Sequence, residues 1–554
     1  MGVNTKSFDN ASDMITFSRA SGGYGLTKVS YGPELVTNGT FDDATGWTLG
    51  AGWAISSGTL NWSGGYNRAA FPVGTGAFEA GKVYKISGTV SNYTSGRVNA
   101  YIALSGNPIS ASAPVPQANG DFTLFLTPAA TVNEFGFIGN DASGALSIDN
   151  VPVKEVTYNS SAADATLQLT YHPNDVPRIE YALDGTAKGL LVEEARTNLV
   201  TYSEDFSTWT AFNSDNFTVN YAQAPDGTQT ATRFNPEFAT DPGISAATLR
   251  IYRSINSTAG DVVTFSLFVK PVQSSSLYVN NPDGSDVDKD LMVALHADQS
   301  SGHSSWNFKT KTWDVIDSDH AAFQEAYPDG WYRIGITYTV ANNDSGNYHF
   351  ISFANRGNAV SFDPYPSGEE DAYIWGAQVE EASFPTSYIK TTGATATRSA
   401  DVASIPVADF GFHPNSKGTL FVEVKTPEVD QIIAGVAFFN STSYQNSAGF
   451  SKVNAGNTTA GGRYLFTAFD GDSTNLNVAD ANTGNFVKLA GVFGDGMLAV
   501  ADGGAVLSGT ERTPVPTHLR IGGRDNGRQS RCHIKSIKYY PRRLTDAQLQ
   551  ELTT

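Results

Sequence analysis

The chain of 554 residues has a single cysteine, Cys532, only four methionines and no long apolar run. One cysteine excludes an intrachain disulfide and leaves a cysteine-based zinc site without its second thiolate. No apolar stretch approaches the roughly 20 residues that span a bilayer, so we expect no membrane insertion. Residues 1–7 lack the basic and apolar segments of a secretory signal, which predicts synthesis in a cytoplasm.

Basic residues are also scarce, at 36 lysines and arginines against 55 aspartates and glutamates, for a formal net charge of −19. They form no dense run that would make a local basic patch. An acidic surface repels phosphate backbones and anionic lipid headgroups. The charge balance therefore predicts neither a nucleic-acid partner nor a membrane-surface partner.

What the sequence does have is period-two alternation of apolar and polar residues. Lys82–Val90, Asp261–Val269 and Trp331–Val340 all alternate in this way, which is the pattern of half-buried strands. Clusters of turn residues separate such segments, and no helical stretch lies between them. The pattern predicts an all-β fold of tandem antiparallel β-sandwiches or jelly rolls.

One helix is predicted, at the C-terminus. Thr545 is suited to the N-cap position, acidic Asp546 falls in the first turn, and Leu549 and Leu552 are three residues apart. We expect this helix to cover one end of the last sandwich.

An internal repeat indicates how the chain divides. Glu34–Trp47 parallels Asn198–Trp209, since each begins with an extended apolar entry and a turn and ends with a Phe and a Trp. Two alternating strands, Leu146–Val156 and Ala372–Glu381, end the repeats. The predicted divisions are an N-terminal attachment segment (1–32), a jelly roll (33–157), an extended strap (158–197), a second jelly roll (198–398) and a third sandwich (399–554). Within the strap, Leu190, Leu191 and Val192 are expected to pack against a module or a neighbouring subunit.

Three short segments resemble a stretch common in phage tail and head-fibre proteins. They are Phe17–Ser21 (Phe-Ser-Arg-Ala-Ser), Val176–Tyr181 (Val-Pro-Arg-Ile-Glu-Tyr) and Gly189–Phe206. In that family the Ser-Arg-Ala-Ser piece lies close ahead of the Pro-Arg piece, whereas here the first module separates them. The resemblance therefore implies that the first module is an insertion.

Two larger regions also resemble known modules. Residues 198–391, including Tyr327–Ile334, are similar to phage head-spike fibre modules with a carbohydrate-binding-module jelly roll. The third sandwich resembles concanavalin A-like, laminin-G-like domains through four segments: Lys488–Phe493, Asp502–Gly504, Leu519–Gly523 and Ile537–Leu549. The fold class implied is two jelly-roll modules followed by a concanavalin A-like sandwich.

The resemblances imply a non-enzymatic virion protein of a tailed bacteriophage, a head or tail fibre or spike that adheres to host or environmental glycans. They further imply a homo-oligomer, with a trimer favoured, whose N-terminal segment contacts other virion proteins. Such folds host binding, structural and catalytic roles, so the fold does not decide the function. A glycan depolymerase and a purely structural collar or decoration protein remain alternatives.

No catalytic residue is predicted. A glycoside hydrolase needs two carboxylates flanking the bond, yet Glu423 stands alone on its predicted strand. The histidines show no His-Glu-x-x-His spacing, and neither a phosphate-binding glycine loop nor a Gly-x-Ser-x-Gly elbow occurs.

Calcium is the only cofactor for which the sequence offers candidates. Three aspartates at alternate positions can present oxygen ligands from one face, and a fourth lies just before them, although a hydrated acidic turn has the same composition. These candidate ligands are Asp283, Asp286, Asp288 and Asp290. Asp42 and Asp43 resemble calcium-site residues of carbohydrate-binding modules.

Sugar binding calls for aromatic faces beside amides and charged groups. The first module offers Trp53, Trp62, Tyr66, Asn67 and Arg68, and the second offers Trp306, Trp313 and Tyr348. The alternative is that such aromatics are core residues. That interpretation is preferred for Trp47, Trp209, Trp331 and Trp375, which fall at recurring positions.

Overall fold

The computed structural model describes residues 5–7, 15–106, 108–212, 217–234, 250–272, 276–280, 286–296, 303–340, 347–355, 371–410, 417–426, 433–440, 446–453, 463–480, 485–523 and 531–554. It is 56% strand and 4% helix. Adjacent strands whose register is described run antiparallel. The predicted all-β, multi-sandwich fold is confirmed.

The first fifteen strands reach to His172. They are β1 (Thr5–Ser7), β2 (Thr16–Ser18), β3 (Gly23–Tyr31), β4 (Thr48–Leu49), β5 (Trp53–Ser56), β6 (Thr59–Trp62), β7 (Arg68–Pro72), β8 (Val83–Ser95), β9 (Val98–Ala103), β10 (Ile109–Pro114), β11 (Gly120–Leu126), β12 (Glu134–Gly139), β13 (Ala145–Asp149), β14 (Val153–Tyr158) and β15 (Thr166–His172).

The middle of the chain continues to Pro406. Its strands are β16 (Arg178–Tyr181), β17 (Ala187–Val192), β18 (Arg196–Asn198), β19 (Thr210–Phe212), β20 (Phe217–Ala222), β21 (Ala231–Phe234), β22 (Arg250–Ile255), β23 (Val262–Val272), β24 (Ser276–Asn280), β25 (Asp286–His296), β26 (His303–Asn307), β27 (Thr312–Val315), β28 (Ala321–Ala326), β29 (Tyr332–Thr339), β30 (Asn347–Asn355), β31 (Asp371–Glu380), β32 (Ala396–Arg398) and β33 (Val402–Pro406). Short 3-10 turns occur at Phe206–Thr208, Pro328–Gly330 and Val407–Phe410.

The last stretch ends in the single α-helix that the structure describes. Its elements are β34 (Gly418–Lys425), β35 (Ile433–Asn440), β36 (Asn446–Val453), β37 (Arg463–Asp470), β38 (Ser473–Asp480), β39 (Val487–Phe493), β40 (Met497–Ala501), β41 (Leu507–Gly509), β42 (His518–Ile521), β43 (Cys532–Tyr540) and α1 (Asp546–Thr553).

Contacts divide the chain into two compact units. Unit 1 comprises Met1–Thr27, Leu169–Val219 and Thr232–Thr554, and unit 2 comprises Lys28–Gln168 and Asn220–Ala231. Strands β3 and β15 carry the chain from one unit into the other.

Unit 2 is a sandwich built around an aromatic core. One sheet has the order β10-β9-β12-β7-β4, and the other has the order β15-β3-β14-β8-β13-β6-β5 with β11 beside β8. Phe71 and Phe137 from the first sheet meet Ile86 and Leu146 from the second in one buried cluster. Alternation along each strand places these side chains inward, because successive strand residues point to opposite faces.

The internal repeat is visible as a shared local structure. In unit 2 the rings of Phe41 and Trp47 are 5.1 Å apart, and the indole Nε1 of Trp47 donates to the Asn38 carbonyl at 2.9 Å. In unit 1 the rings of Phe206 and Trp209 are also 5.1 Å apart, and Trp209 Nε1 donates to a carbonyl seven residues earlier at 3.2 Å. Each indole thus buries its ring while its N–H remains satisfied.

The first sandwich of unit 1 pairs a seven-stranded sheet with a six-stranded one. Their orders are β19-β22-β30-β25-β26-β27, with β24 beside β25, and β20-β21-β31-β23-β29-β28. Ile251, Val293 and Trp306 of the first sheet pack against Phe265 and Ile374 of the second.

The second sandwich of unit 1 contains strands from both ends of the chain and from the strap. Its sheets have the orders β16-β17-β43-β34-β39-β40-β41, with β1 beside β43, and β2-β33-β42-β35-β36-β37-β38. Leu190 and Val192 of the strap are fully buried in its core with Val422, Phe439 and Ile521. The structure therefore places the strap residues in the core of the C-terminal sandwich.

The predicted C-terminal helix is confirmed in type and position. The Thr545 hydroxyl accepts from Gln548 N, and the Gln548 side chain accepts from Thr545 N, which forms a capping box. Leu549 is fully buried with Phe421 and Val492, so α1 covers the outer face of the β34–β39 sheet.

Candidate functional site

Six charged side chains meet inside unit 1, and we call them the ionic cluster. Its members are Arg19, Arg178, Glu193, Arg398, Asp401 and Arg531. The first five are no more than 1% exposed. They come from the N-terminal segment, the strap and the junction before the last sandwich, so the cluster joins parts of the chain that are far apart in sequence.

The two carboxylates of the ionic cluster each hold more than one cation. Asp401 accepts from Arg19 at 3.1 Å and from Arg178 at 2.5 Å, and a third hydrogen bond comes from Glu193 N at 2.9 Å. Glu193 accepts from Arg178 at 2.9 Å and lies 3.5 Å from Arg398 and 3.2 Å from Arg531. Such charge-assisted bonds are stronger than neutral ones.

Ser387 completes the shell around Glu193. Its backbone N–H donates to one carboxylate oxygen at 2.9 Å, and its hydroxyl donates to the other at 2.7 Å. Both oxygens of Glu193 are thereby satisfied, which is the condition under which a buried carboxylate can stay ionised.

Backbone carbonyls accept the hydrogen bonds of Arg19 that the carboxylates do not. Arg19 donates to the carbonyls of Ser21, His172, Pro173 and Val176 at 2.6 to 3.3 Å. These carbonyls belong largely to the turn between β15 and β16, which offers few ladder partners. A buried carbonyl needs a donor, so Arg19 fixes the path of both the N-terminal segment and this turn.

The environment keeps the ionic cluster charged. Burial alone would raise the pKa of Glu193, but Arg398, Arg178 and Arg531 and the Ser387 hydrogen bond hold it well below its usual value. Burial and repulsion from Arg178 lower the pKa of Arg19 to about 10, against the attraction of Asp401. Both groups therefore stay ionised at neutral pH.

A second buried pair lies on β16 and β43, the two strands that flank β17. His533 Nε2 lies 2.7 Å from Glu180 Oε2, and Glu180 Oε1 accepts from Leu26 N at 3.3 Å. Burial by itself would raise the pKa of Glu180, but the hydrogen bond and the attraction of His533 lower it to about 2.

The lowered pKa of Glu180 predicts a loss of stability in acid. The carboxylate stabilises the folded state above its unfolded pKa, near 4.5, and this contribution disappears as the pH falls through about 2. By pH 3 the loss from this group should reach roughly 2 kcal/mol. Denaturant unfolding of the wild-type chain and of Glu180→Gln at pH 7 and pH 3 measures it, since the variant lacks the titrating group. Parallel losses of stability in the two proteins would contradict this prediction.

The segments that carry the phage-fibre resemblance supply half of the ionic cluster. Arg19, Arg178 and Glu193 lie in the three segments, whereas Arg398, Asp401 and Arg531 were not predicted as site residues. A usable signal was the Thr-Arg-Ser-Ala-Asp run at 397–401, which follows the second module and resembles the Ser-Arg-Ala-Ser piece in composition.

Most of the tryptophans predicted to stack against glycans lie in hydrophobic cores. Trp53 is 6% exposed, Trp62 1% and Trp306 0%. Their indole N–H groups donate to Asn67 O, Gly65 O and Gln324 Oε1. Trp313 is partly buried and donates to Phe323 O at 3.3 Å. These four residues follow the alternative interpretation, and so do the buried Trp47, Trp209, Trp331 and Trp375.

The other candidates in unit 2 are accessible. Tyr66 is 66% exposed, Asn67 is exposed, and Arg68 is half-buried. Asn67 donates to Ala51 O at 3.1 Å, which holds the turn carrying Tyr66 against the preceding loop. Tyr348 is in β30, but its side chain lies outside the described residues.

The calcium candidates cannot be placed as a group. Asp283 lies outside the described residues, and only the backbone of Asp286, Asp288 and Asp290 is described, in β25. Among described residues, no group of three or more His, Cys, Asp or Glu side chains is arranged to hold a metal ion.

The loop that contains Asp42 and Asp43 is held by its own hydrogen bonds. Asp43 accepts from Thr45 N at 2.7 Å and from Asn38 at 3.3 Å, and these bonds lower its pKa. Asp42 accepts from the Thr40 hydroxyl at 3.0 Å. The two carboxylates thus have separate hydrogen-bond partners within the loop.

Two further findings concern predicted sites elsewhere in the chain. Glu423, considered as a lone carboxylate, forms an ion pair with Lys535 at 3.3 Å. Within the part of the chain that the structure describes, no helix combines the length and apolarity required to span a bilayer.

Comparison with known proteins identifies no family for this chain. No family model matches the chain, and no curated protein is similar to it in sequence. Among solved structures, Trypanosoma rangeli sialidase in complex with the inhibitor DANA is 11% identical, with 90% of this chain and 83% of that chain covered at a TM-score of 0.22. The same sialidase without inhibitor is 12% identical at the same coverage and TM-score. Similarity at this level is too low to bear on fold or activity.

Proposed function

We propose that this chain is a non-enzymatic structural subunit of a tailed-bacteriophage virion, a fibre or spike component that adheres to glycans. The observation that carries the proposal is the ionic cluster. The first of the three short segments that resemble phage fibre proteins lies far ahead of the other two in sequence, yet Arg19, Arg178 and Glu193 from them meet in one buried network. Descent from a common fibre scaffold would preserve residues that share one structural role.

The structural role of the ionic cluster is suited to a protein that displays binding surfaces. A buried ion network whose carboxylate oxygens are all hydrogen-bonded favours one arrangement of the segments it joins, because another arrangement leaves a carboxylate buried without a partner. In unit 1 those segments are the N-terminal strands, the strap and the strands of the C-terminal sandwich. The result is a rigid scaffold that holds binding surfaces at fixed positions.

We further propose a homo-oligomer, with a trimer favoured, whose N-terminal segment also contacts other virion proteins. Several linked copies raise the effective concentration of weak sites, so glycan binding by each copy can be weak. The expected mass in light scattering of the purified chain is three times that of the monomer. A monomer at micromolar concentration would contradict the oligomer proposal.

Location in the particle tests the virion role. Mass spectrometry of purified particles of the encoding virus should detect the chain, and an antibody raised against the full chain should label fibres or spikes. Absence from purified particles would overturn this role. Release of reducing sugar from host polysaccharide by the purified chain would instead favour a glycan depolymerase.

A further inference from the structure

The open face of the five-stranded sheet of unit 2 carries a continuous band of polar and aromatic groups. Along β9, Val98, Ala100 and Ile102 point into the core, so Asn99 and Tyr101 point outward. The register pairs Asn99 with Ile138 and Tyr101 with Gly136 on β12, and Ile138 with Arg68 on β7. The outward residues of three neighbouring strands therefore stand side by side.

The centre of the band is a three-residue cluster. The Tyr101 hydroxyl donates to Glu134 at 2.9 Å, and the Arg68 guanidinium lies 4.9 Å from the centre of the Tyr101 ring and 3.8 Å from Glu134. Burial, and then the charge of Glu134, raise the pKa of Tyr101, so its hydroxyl remains a donor at neutral pH. Tyr101 is fully buried and Glu134 is 6% exposed, so the half-buried Arg68 is the part of this cluster that a ligand can reach.

Gly136 keeps the centre of the band shallow. A Cβ atom added there would lie 2.8 Å from the Tyr101 hydroxyl oxygen and 2.2 Å from the Ala69 carbonyl. The absence of a side chain lets the Tyr101 ring lie across the sheet instead of standing away from it. The low centre of the band therefore presents Arg68, and not the buried Tyr101 ring, to a ligand.

The band continues to one end of the sheet. Asn140 donates to Asn99 at 2.8 Å, and Arg97 forms two hydrogen bonds with Asp141, at 3.0 and 2.8 Å. The hydrogen bond and charge of Asp141 raise the pKa of Arg97. The turn that carries Tyr66 is bonded to the same residue, because Gly65 N donates to Asp141 O at 2.9 Å. From Arg97 to Tyr101 the band extends about 13 Å at strand spacing.

Tyr66 is presented rigidly at that end. The backbone N–H of Gly65 donates to Asp141 O at 2.9 Å, and Gly139 N donates to Asn67 O at 3.2 Å, so bonds on both sides fix the turn. Two-thirds of the Tyr66 surface is exposed. A fixed aromatic ring offers a stacking surface with little loss of conformational entropy on binding.

We infer that the accessible part of this band, from Tyr66 and the Arg97–Asp141 pair to Arg68, binds an uncharged, hydroxyl-rich glycan chain. The inference rests on the proposed adhesive function and names its site and ligand class. Each exposed arginine is neutralised by a carboxylate, Arg97 by Asp141 and Arg68 by Glu134. Paired charges and amides donate to and accept from hydroxyls, and these pairs leave no net positive charge to attract a sialylated or uronic-acid chain.

The test uses the full-length chain, immobilised at high density on an array of neutral oligosaccharides and their sialylated and uronic-acid counterparts. Wild type should bind neutral glycans in preference to the acidic counterparts. Tyr66→Ala should weaken this binding about tenfold, as expected for loss of a stacking contact worth about 1.4 kcal/mol. Tyr221→Ala removes another exposed tyrosine, which lies on β20 in a different sheet, and should bind as wild type does.

Asp141→Asn tests the ligand class. The substitution leaves the Arg97 guanidinium without its carboxylate, so binding should shift toward the acidic glycans and away from the neutral ones. Two results would overturn the assignment: a wild-type preference for acidic glycans, or neutral binding that Tyr66→Ala leaves unchanged. If wild type binds no glycan at this density, the adhesive function itself fails along with the site.

Discussion

The Arg178→Ala variant is expected to lose about 3–5 kcal/mol of folding free energy in unit 1, the range measured when one partner of a buried ion pair is removed. Arg178 is fully buried and donates to both carboxylates of the ionic cluster, at 2.9 Å to Glu193 and 2.5 Å to Asp401. Alanine would leave both carboxylates short of a donor at a buried position. Most of this expected loss of folding free energy comes from leaving a carboxylate buried without its partner. Less of it comes from the lost attraction between the two charges.

Arg97→Ala is the matched control, because Arg97 also makes a two-bond pair with a carboxylate. That pair is exposed, 60% on the arginine side and 30% on the aspartate side, so removal should change stability by less than about 1 kcal/mol. Hydrogen exchange of peptides from β34 and β43 measures opening of unit 1 in the first variant, and peptides from β9 and β12 measure unit 2 in the second. Equal effects for Arg178→Ala and Arg97→Ala would show that the ionic cluster does not hold unit 1 together.

The strands could be predicted because their signal is local. The alternation in Lys82–Val90 corresponds to β8, that in Asp261–Val269 to β23, and that in Trp331–Val340 to β29, with ends that differ by a few residues. Along β8 buried and partly exposed residues alternate, as the pattern predicts, whereas Val263–Val269 of β23 is buried on both faces.

The ionic cluster could not be predicted in full because its contacts are distant. Arg178 and Asp401 are separated by 223 positions, and Arg19 and Asp401 by 382. No periodicity links charged residues that meet only after two sheets have packed. Resemblance to fibre proteins marked three members, but the partners of those members depend on tertiary structure.

The burial of the candidate tryptophans shows what a local pattern can decide and what was overlooked. In β6 the sequence Thr-Leu-Asn-Trp alternates, so Trp62 shares a face with Leu60, which is fully buried. Tyr66 lies in the turn between β6 and β7, where strand alternation does not apply. Alternation therefore identifies Trp62 as a core residue, whereas the exposure of Tyr66 depends on the turn.

Trp62→Ala is expected to destabilise unit 2 by about 3–5 kcal/mol, as large-to-small substitutions of buried aromatics do. Three glycines line the indole so closely that an added Cβ would lie 2.4 Å from it at Gly139 and 2.7 Å at both Gly96 and Gly144. Those backbones are packed onto the ring and have no side chains with which to fill the space. Alanine would therefore leave a cavity and also remove the donor to Gly65 O.

Tyr66→Ala, four residues further along, separates stability from binding. An exposed side chain outside any network should change stability by no more than about 0.5 kcal/mol. Denaturant unfolding and glycan-array binding should both be measured for the two variants. We expect Trp62→Ala to lose stability, and Tyr66→Ala to keep its stability but lose neutral-glycan binding. A Trp62→Ala protein that unfolds at the wild-type midpoint yet fails to bind would instead show that Trp62 contacts the sugar directly.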